Sequence, residues 1–182
     1  MERSIGVVEF RSIAVGIDAV DKIVKAANVE IIDAKTICPG KYYIIFSGLV
    51  SAVKDSLSAV EFYANDFIID SVVIANVYPQ LFSALTSTND VKTPASIGVI
   101  ETLTAPSIIW SADSAIKATN IDLVEVRIAR ALGGKNICII NGLLSDVTES
   151  INKAIEYPKQ KDFLVDWQII AAPNKDLYRA VL

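Results

Sequence analysis

The chemistry that this sequence offers centres on one cysteine in a tight turn. Cys38 lies in residues 35–43, KTICPGKYY, directly before Pro39 and Gly40, and the other cysteine, Cys138, is far away in the chain. A thiolate acts as a nucleophile or as a metal ligand. Two widely separated cysteines do not indicate a disulfide framework, so Cys38 needs an explanation of its own.

The absence of histidine removes the usual partners of a reactive thiol. The chain has no histidine at all, so it has no Ser-His-Asp or Cys-His nucleophile, no HExxH zinc site and no imidazole general base. Neither GxGxxG nor GxxxxGK[ST] occurs, and no pair of converging carboxylates is recognisable. We therefore expect a protein that is not an enzyme.

The composition of the chain limits its expected partners and its expected location in the cell. The 182 residues are 52 % apolar, but no apolar run reaches the ~18–20 residues of a spanning helix, so we expect no membrane insertion. The charged start, MERSIGVVEF, does not resemble a signal peptide and predicts a cytoplasmic location. A net charge of −4, with scattered Lys and Arg, argues against nucleic acid.

The elements that must position Cys38 belong to a duplicated domain. With an offset of 92 residues, SIGVVEF (4–10) aligns with SIGVIET (96–102), and KAANVEIID (25–33) aligns with KATNIDLVE (117–125). After a two-residue insertion, GKYYIIFSGLVSAV (from 40) aligns with GKNICIINGLLSDV (from 134). Near the end, FIIDSVVIA (from 67) aligns with FLVDWQIIA (from 163). These matches predict two domains, 1–88 and 95–182, joined by a polar linker at 86–96.

Each repeat reads as β-α-β-β-α-β followed by a short helix. Runs rich in β-branched residues predict strands at 5–10, 29–36, 42–46 and 67–75. Ser12 is a candidate N-cap for the first helix. The apolar stripes of the helices are Ile13, Ile17, Val20, Val24 and Ala27 in the first, Val50, Val53, Leu57, Val60 and Ala64 in the second, and Leu144, Val147, Ile151 and Ala154 in its duplicate. This order predicts an α+β fold, an α/β sandwich with a ferredoxin-like antiparallel sheet, twice in tandem.

Three segments resemble the bacterial microcompartment shell (BMC) domain: KAANV after an amphipathic helix, PGKYYIIFSGLVSAV, and the VIAN strand. The resemblance covers nearly the whole chain, in both halves. It implies two tandem shell domains whose homotrimer imitates a hexamer and tiles, with other shell proteins, into the facet of a cytoplasmic microcompartment. The turn TICPGK is similar to that of an iron–sulfur type found in propanediol-utilisation compartments.

In that type the cysteine is an iron–sulfur ligand at the central pore, which makes Cys38 the expected metal ligand of this chain. A cubane cluster normally has four thiolates, so one cysteine per chain requires several chains to converge, and a threefold axis brings three. We therefore expect one [4Fe-4S] cluster per trimer. The expected pore turns comprise Pro39 and Gly40, in a type II turn, and, without a thiol, Leu132, Gly133 and Gly134.

Other residues have simpler expected roles. The resemblance makes Lys25 and Lys117 tile-edge lysines, although the Pro-Arg-Pro-His run usual in the family is replaced by ANVYPQL (75–81) and AAPNKDL (171–177). Cys138, inside the strand NICIING, is expected to be a packing residue. Trp110 and Trp167 are likewise expected to pack in the core or at an interface.

Three functions remain open from the sequence. The first is a shell tile whose pore cluster serves electron transfer or cluster supply, with an encapsulated or cytosolic redox enzyme as partner. The second is a shell tile with an open metabolite pore that Cys38 lines. The third is a tandem ferredoxin-like sensor of small molecules that uses the cleft between the repeats.

Overall fold

A computed structural model of the protein describes residues 4–86, 89, 91, 95–129 and 132–181. Most of the predicted linker, together with Arg130 and Ala131 of the second turn, lies outside these residues. The chain divides into two compact units. The first contains residues 1–77, 104–106 and 129–134, and the second contains residues 78–103, 107–128 and 135–182. The first unit thus includes two short segments of the second repeat.

The first repeat forms the predicted βαββαβ order. Its elements are β1 (Ser4–Phe10), α1 (Ile13–Ala26), β2 (Val29–Ile37), β3 (Lys41–Gly48), α2 (Val50–Ala64), a 3₁₀ turn (Asn65–Phe67) and β4 (Ile68–Ile74), followed by α3 (Gln80–Thr86). The strands pair antiparallel in the order β2-β3-β1-β4. This order is that of a ferredoxin-like sheet, as the sequence predicts.

The second repeat has the same order with one additional helix. Its elements are β5 (Ser96–Thr102), α4 (Ala105–Ala118), β6 (Asp122–Arg127), β7 (Asn136–Gly142), α5 (Leu144–Ala154), α6 (Glu156–Gln160), β8 (Leu164–Ile170) and α7 (Lys175–Val181). The sheet order β6-β7-β5-β8 reproduces that of the first repeat. Among the described residues, no helix has the length and apolar content that crossing a membrane requires.

In each repeat, a serine of the second helix donates a hydrogen bond to a backbone carbonyl of the first helix. Four of the five residues of the predicted stripe on α2 are buried, namely Val53, Leu57, Val60 and Ala64, whereas Val50 at its first turn is exposed. Between them, Ser56 Oγ donates to the Ile23 carbonyl of α1 at 2.9 Å. In the second unit, Ser150 Oγ donates in the same way to the Ala115 carbonyl of α4 at 2.9 Å. Each serine satisfies a buried hydroxyl while it joins the two helices.

The apolar stripe predicted on α1 is only partly buried in this chain. The helix begins as predicted, with Ser12 Oγ accepting from the Val15 N–H at 3.4 Å. The buried residues, however, are Gly16, Ala19 and Ile23. Small residues let the helix approach the sheet closely, because a Cβ at position 16 would lie 2.6 Å from the neighbouring tyrosine ring. Of the stripe, Ile13 and Val20 pack partly buried against the core, whereas Ile17 and Val24 are exposed.

Candidate functional site

The Cys38 turn connects β2 to β3 and faces solvent. Cys38, Pro39 and Gly40 are all exposed. The Cys38–Pro39 peptide bond is cis, and Gly40 has φ of 77°, in the left-handed region expected from the sequence. An added Cβ on Gly40 would meet nothing within 4 Å. The glycine is therefore used for its backbone conformation, and the thiol beside it is accessible.

The corresponding turn of the second repeat lies against the first. The Cys38 N–H donates to the Ala129 carbonyl at 3.2 Å. Gly134 is buried with φ of 89°, and a Cβ there would lie 2.9 Å from Pro39 Cδ. Gly133 also has a positive φ, 61°, but its Cβ position is open. The close approach of the two turns thus depends on Gly134.

Only one of the two thiols is placed for ligation. Cys138 is fully buried in β7, which confirms its prediction as a packing residue. Burial raises the pKa of the Cys138 thiol to about 12, so it stays protonated at physiological pH. Cys38 is exposed. Metal ligation by sulfur requires the thiolate, which leaves Cys38 as the candidate.

One chain does not provide a complete cluster site. Within the described part of the chain, no group of three or more His, Cys, Asp or Glu residues is placed to hold a metal ion. The soft sulfur ligand of Cys38 suits an iron–sulfur cluster, but cubane clusters normally take four thiolates. The residues present therefore fit a cluster only where the exposed turns of several copies converge. The Cys38 amide, already bonded to Ala129, is not available to such a cluster.

A buried carboxylate, which the sequence analysis missed, lies behind the Cys38 turn. Glu9 on β1 has no exposed surface, and its Oε1 is 2.7 Å from Lys41 Nζ, at the start of β3. Its Oε2 accepts the Ala105 N–H, at the first residue of α4, at 2.6 Å. Burial raises the pKa of Glu9, although hydrogen bonds from Lys41 and Ala105 oppose the rise. The only sequence signal for this site is a charged residue within the apolar run of β1.

Asp70 extends this polar contact. It lies opposite Glu9 in the β1–β4 register and is almost fully buried. Thr104 Oγ1, directly before α4, donates to Asp70 Oδ2 at 2.6 Å. The carboxylates of the first repeat thus hold the first turn of a helix from the second repeat, whose amino end carries partial positive charge.

The predicted tile-edge lysines occupy equivalent positions in the last turns of α1 and α4. Lys25 is well exposed and pairs with Asp21 at 2.6 Å, while Lys117 is less exposed and pairs with Asp113 at 2.5 Å. Their role at a tile edge remains a prediction.

The two tryptophans differ in burial. Trp110 on α4 stacks on Tyr157, with ring centroids 5.2 Å apart, as a packing role predicts. Trp167 on β8 is exposed. Trp167 is therefore not a core residue, and its role at an interface stays a prediction.

Fold and site together define a tandem of two βαββαβ domains with adjacent duplicated turns. The family model of the BMC domain matches residues 4–77 and 96–173. The chain therefore belongs to the BMC-domain family of bacterial microcompartment shell proteins. It is a structural protein of the microcompartment shell in the bacterial cytoplasm, not an enzyme, and it assembles with itself and other shell proteins.

Individual relatives agree with this assignment. The chain is 35 % identical to the bacterial microcompartment shell protein PduT of Citrobacter freundii, over all of this chain and 99 % of that one. A solved microcompartment protein from Desulfitobacterium hafniense is 36 % identical, with a TM-score of 0.84 over 98 % of this chain and 99 % of that one. A fused permuted hexameric shell protein of the RMM microcompartment shares the fold, with a TM-score of 0.66 and 19 % identity over 88 % and 85 % of the two chains.

Proposed function

We propose that three copies of this chain form a pseudohexameric tile whose central pore binds one [4Fe-4S] cluster through Cys38. Each chain supplies two of the six domains that close the ring. The observation that carries the proposal is the exposed Cys38 turn lying against its duplicate, through the Cys38–Ala129 hydrogen bond and the Gly134–Pro39 contact. A ring of six such turns would present a thiol at every second position.

Three thiolates would leave one iron of a cubane without a cysteine ligand, open to water or another small ligand. When bound, such a cluster supplies one-electron transfer across the shell, or iron and sulfide for enzymes inside it. The chain's own residues hold the thiol in place. Lys41 anchors the start of β3 to buried Glu9, and Ala129 fixes the backbone of Cys38. A redox enzyme on either side of the shell is the partner that fits the first role.

Iron and sulfide analysis of anaerobically purified protein tests the cluster. The wild type should be brown and contain about four irons per three chains, with broad absorption in the visible blue. Cys38→Ser should lower bound iron and sulfide to background, because a hydroxyl is a far poorer ligand than a thiolate. Cys138→Ser is the matched control and should keep the full iron content, since that thiol is buried.

The oligomeric state is measured separately by light scattering. A trimer at micromolar concentration is expected for the wild type and for both variants, because the thiols do not carry the subunit contacts. If Cys38→Ser retains its iron, or Cys138→Ser loses it, the cluster is wrongly assigned. A trimer without iron would support a shell tile with an open metabolite pore, and a monomer or dimer would contradict the pseudohexameric tile itself.

A further inference from the structure

The carboxyl end of α2 carries an aromatic cluster that this chain leaves largely uncovered. Phe62 is 95 % exposed, and Tyr63 beside it is 50 % exposed. Phe67, in the 3₁₀ turn that follows α2, is 42 % exposed. Single exposed apolar side chains are common on protein surfaces, whereas exposed apolar side chains grouped together mark a binding surface. We call these three residues the α2 aromatic surface.

Tyr63 connects this surface to α1. Its hydroxyl donates a hydrogen bond to Asp18 of α1, which raises the pKa of the Tyr63 phenol. Lys22, one turn further along α1, places its Nζ 5.2 Å from the centre of the Tyr63 ring. The ring is therefore held by two contacts before anything binds, so binding costs little of its conformational freedom.

The second repeat does not carry this surface. With the offset of 94, Phe62 corresponds to Glu156, and Tyr63 corresponds to Tyr157. Trp110 of α4 stacks on the Tyr157 ring, whereas the equivalent position of α1 is Asp18. The second repeat thus has a charged residue in place of the phenylalanine and an indole against its tyrosine. The exposed Phe62 is therefore not a requirement of the shell-domain fold.

Acidic groups predominate around the α2 aromatic surface. Residues 54–67, together with the two α1 residues that contact Tyr63, carry more carboxylates than lysines, namely Asp18, Asp55, Glu61 and Asp66 against Lys22 and Lys54. The helices α1, α4, α5 and α6 each have a lysine in the last turn, whereas α2 has no basic residue there. The partial negative charge at the carboxyl end of α2 therefore lacks a cation from its own last turn.

We propose that the α2 aromatic surface binds a cationic amphipathic segment of another protein. Apolar side chains of the segment pack on Phe62 and Tyr63, and its Lys or Arg side chains lie beside Asp55, Asp66 and the carboxyl end of α2. A symmetric contact between two copies of this chain does not fit, because it would bring two acidic surfaces together. The binding requires neither the pore cluster nor the trimer, so it goes beyond the function proposed above.

Fluorescence anisotropy with a defined probe tests this binding. The probe is a fluorescein-labelled amphipathic helical peptide of leucine, phenylalanine and lysine, and the control probe has glutamate in place of each lysine. The wild-type protein should bind only the lysine probe. Phe62→Ala should weaken binding by at least about tenfold, because exposed aromatic residues supply much of the energy of such contacts. Leu49→Ala, which removes a 72 % exposed side chain at the other end of α2, is the matched control and should bind as the wild type does.

A second pair of variants tests the role of charge. Asp55→Asn combined with Asp66→Asn should weaken binding of the lysine probe and flatten its dependence on salt. Both side chains are exposed, so the fold should be retained, which circular dichroism checks. Glu149→Gln combined with Glu156→Gln removes the same net charge from the second repeat and should leave binding unchanged.

Several results would overturn the proposed binding. The first is that the wild type does not bind the lysine probe, or binds the glutamate probe equally well. The second is that Phe62→Ala binds as the wild type does, or that the glutamine pair weakens binding as much as the asparagine pair, because attraction would then follow net charge alone. The third is a self-association of the wild type that Phe62→Ala abolishes in sedimentation velocity, which would make a second copy of this chain the occupant.

Discussion

Lys41 Nζ and Glu9 Oε1 lie 2.7 Å apart, and this ion pair joins the residue after the Cys38 turn to a carboxylate with no exposed surface. Removing the cationic partner of a buried carboxylate lowers the free energy of unfolding far more than an exposed ion pair raises it. The pair therefore ties the position of the turn to the stability of the sheet beneath it.

Glu9→Gln should flatten the dependence of stability on pH. Burial raises the pKa of Glu9 above its usual value of 4.5. The folded state therefore keeps a proton that the unfolded state loses, and the free energy of unfolding falls as the pH rises from about 4.5 through the folded pKa. We expect Glu9→Gln to remove this fall, measured by urea denaturation at a series of pH values. Glu30→Gln, at an exposed position of β2, should keep the wild-type slope.

Gly134→Ala should destabilise the protein more than Gly133→Ala. Both residues have positive φ, so alanine at either position costs roughly 1–2 kcal/mol of backbone strain. Only at position 134 does the new Cβ also clash, 2.9 Å from Pro39 Cδ. The midpoint of chemical denaturation should be clearly lower for Gly134→Ala. Equal midpoints for the two variants would mean that the turns are not packed together in solution.

Cys138→Ser should cost about 1–3 kcal/mol of unfolding free energy, because it places a hydroxyl in a fully buried site. Cys38→Ser, at an exposed site, should change the unfolding free energy by less than about 0.5 kcal/mol in the iron-free protein. Urea denaturation measures both. Labelling at mildly alkaline pH should detect one reactive thiol in the folded, iron-free chain and two after denaturation, since burial raises the pKa of Cys138 to about 12.

Lys25→Ala should impair the growth of protein sheets and leave the trimer intact. The ion pair of Lys25 with Asp21 is exposed and adds less than about 1 kcal/mol to stability, so its loss does not disturb the fold. Electron microscopy of concentrated protein measures sheet formation, and light scattering measures the trimer. Lys22→Ala, on the same helix, is the control and should form sheets normally. Dissociation of the trimer by Lys25→Ala would place that lysine at a different interface.

The sequence predicts most of the fold because the apolar patterns that indicate strands and helices lie within short segments. The β-branched runs predict all four strands of the first repeat, although β3 extends to Lys41 and Gly48, beyond the predicted 42–46. The end residues are small or polar and are held by cross-strand pairing with β1 and β2, which a single segment does not reveal. The family model and the antiparallel strand order confirm the tandem shell domains.

The packing of α1 and the site behind Cys38 are less predictable. The apolar spacing along α1 does not reveal that Gly16, Ala19 and Ile23 are its buried residues. It also does not reveal that Ile17 and Val24 of the predicted stripe are exposed. Glu9 and Asp70 become neighbours only through strand register, and their helix partner comes from the other repeat. The exposure of Cys38 and the burial of Cys138 agree with the turn and strand patterns that predict them.

The bond from the Ala105 amide to Glu9 joins residues of two repeats on one covalent chain. Tethered partners meet at an effective concentration that their linkage sets, often in the millimolar range, whatever the amount of protein in solution. Dilution therefore leaves this contact closed. Any contact between separate chains opens when the protein concentration falls below the dissociation constant of that contact. Because both repeats lie on one chain, this contact does not depend on the expression level, and a cell that makes few copies still has it formed in every chain.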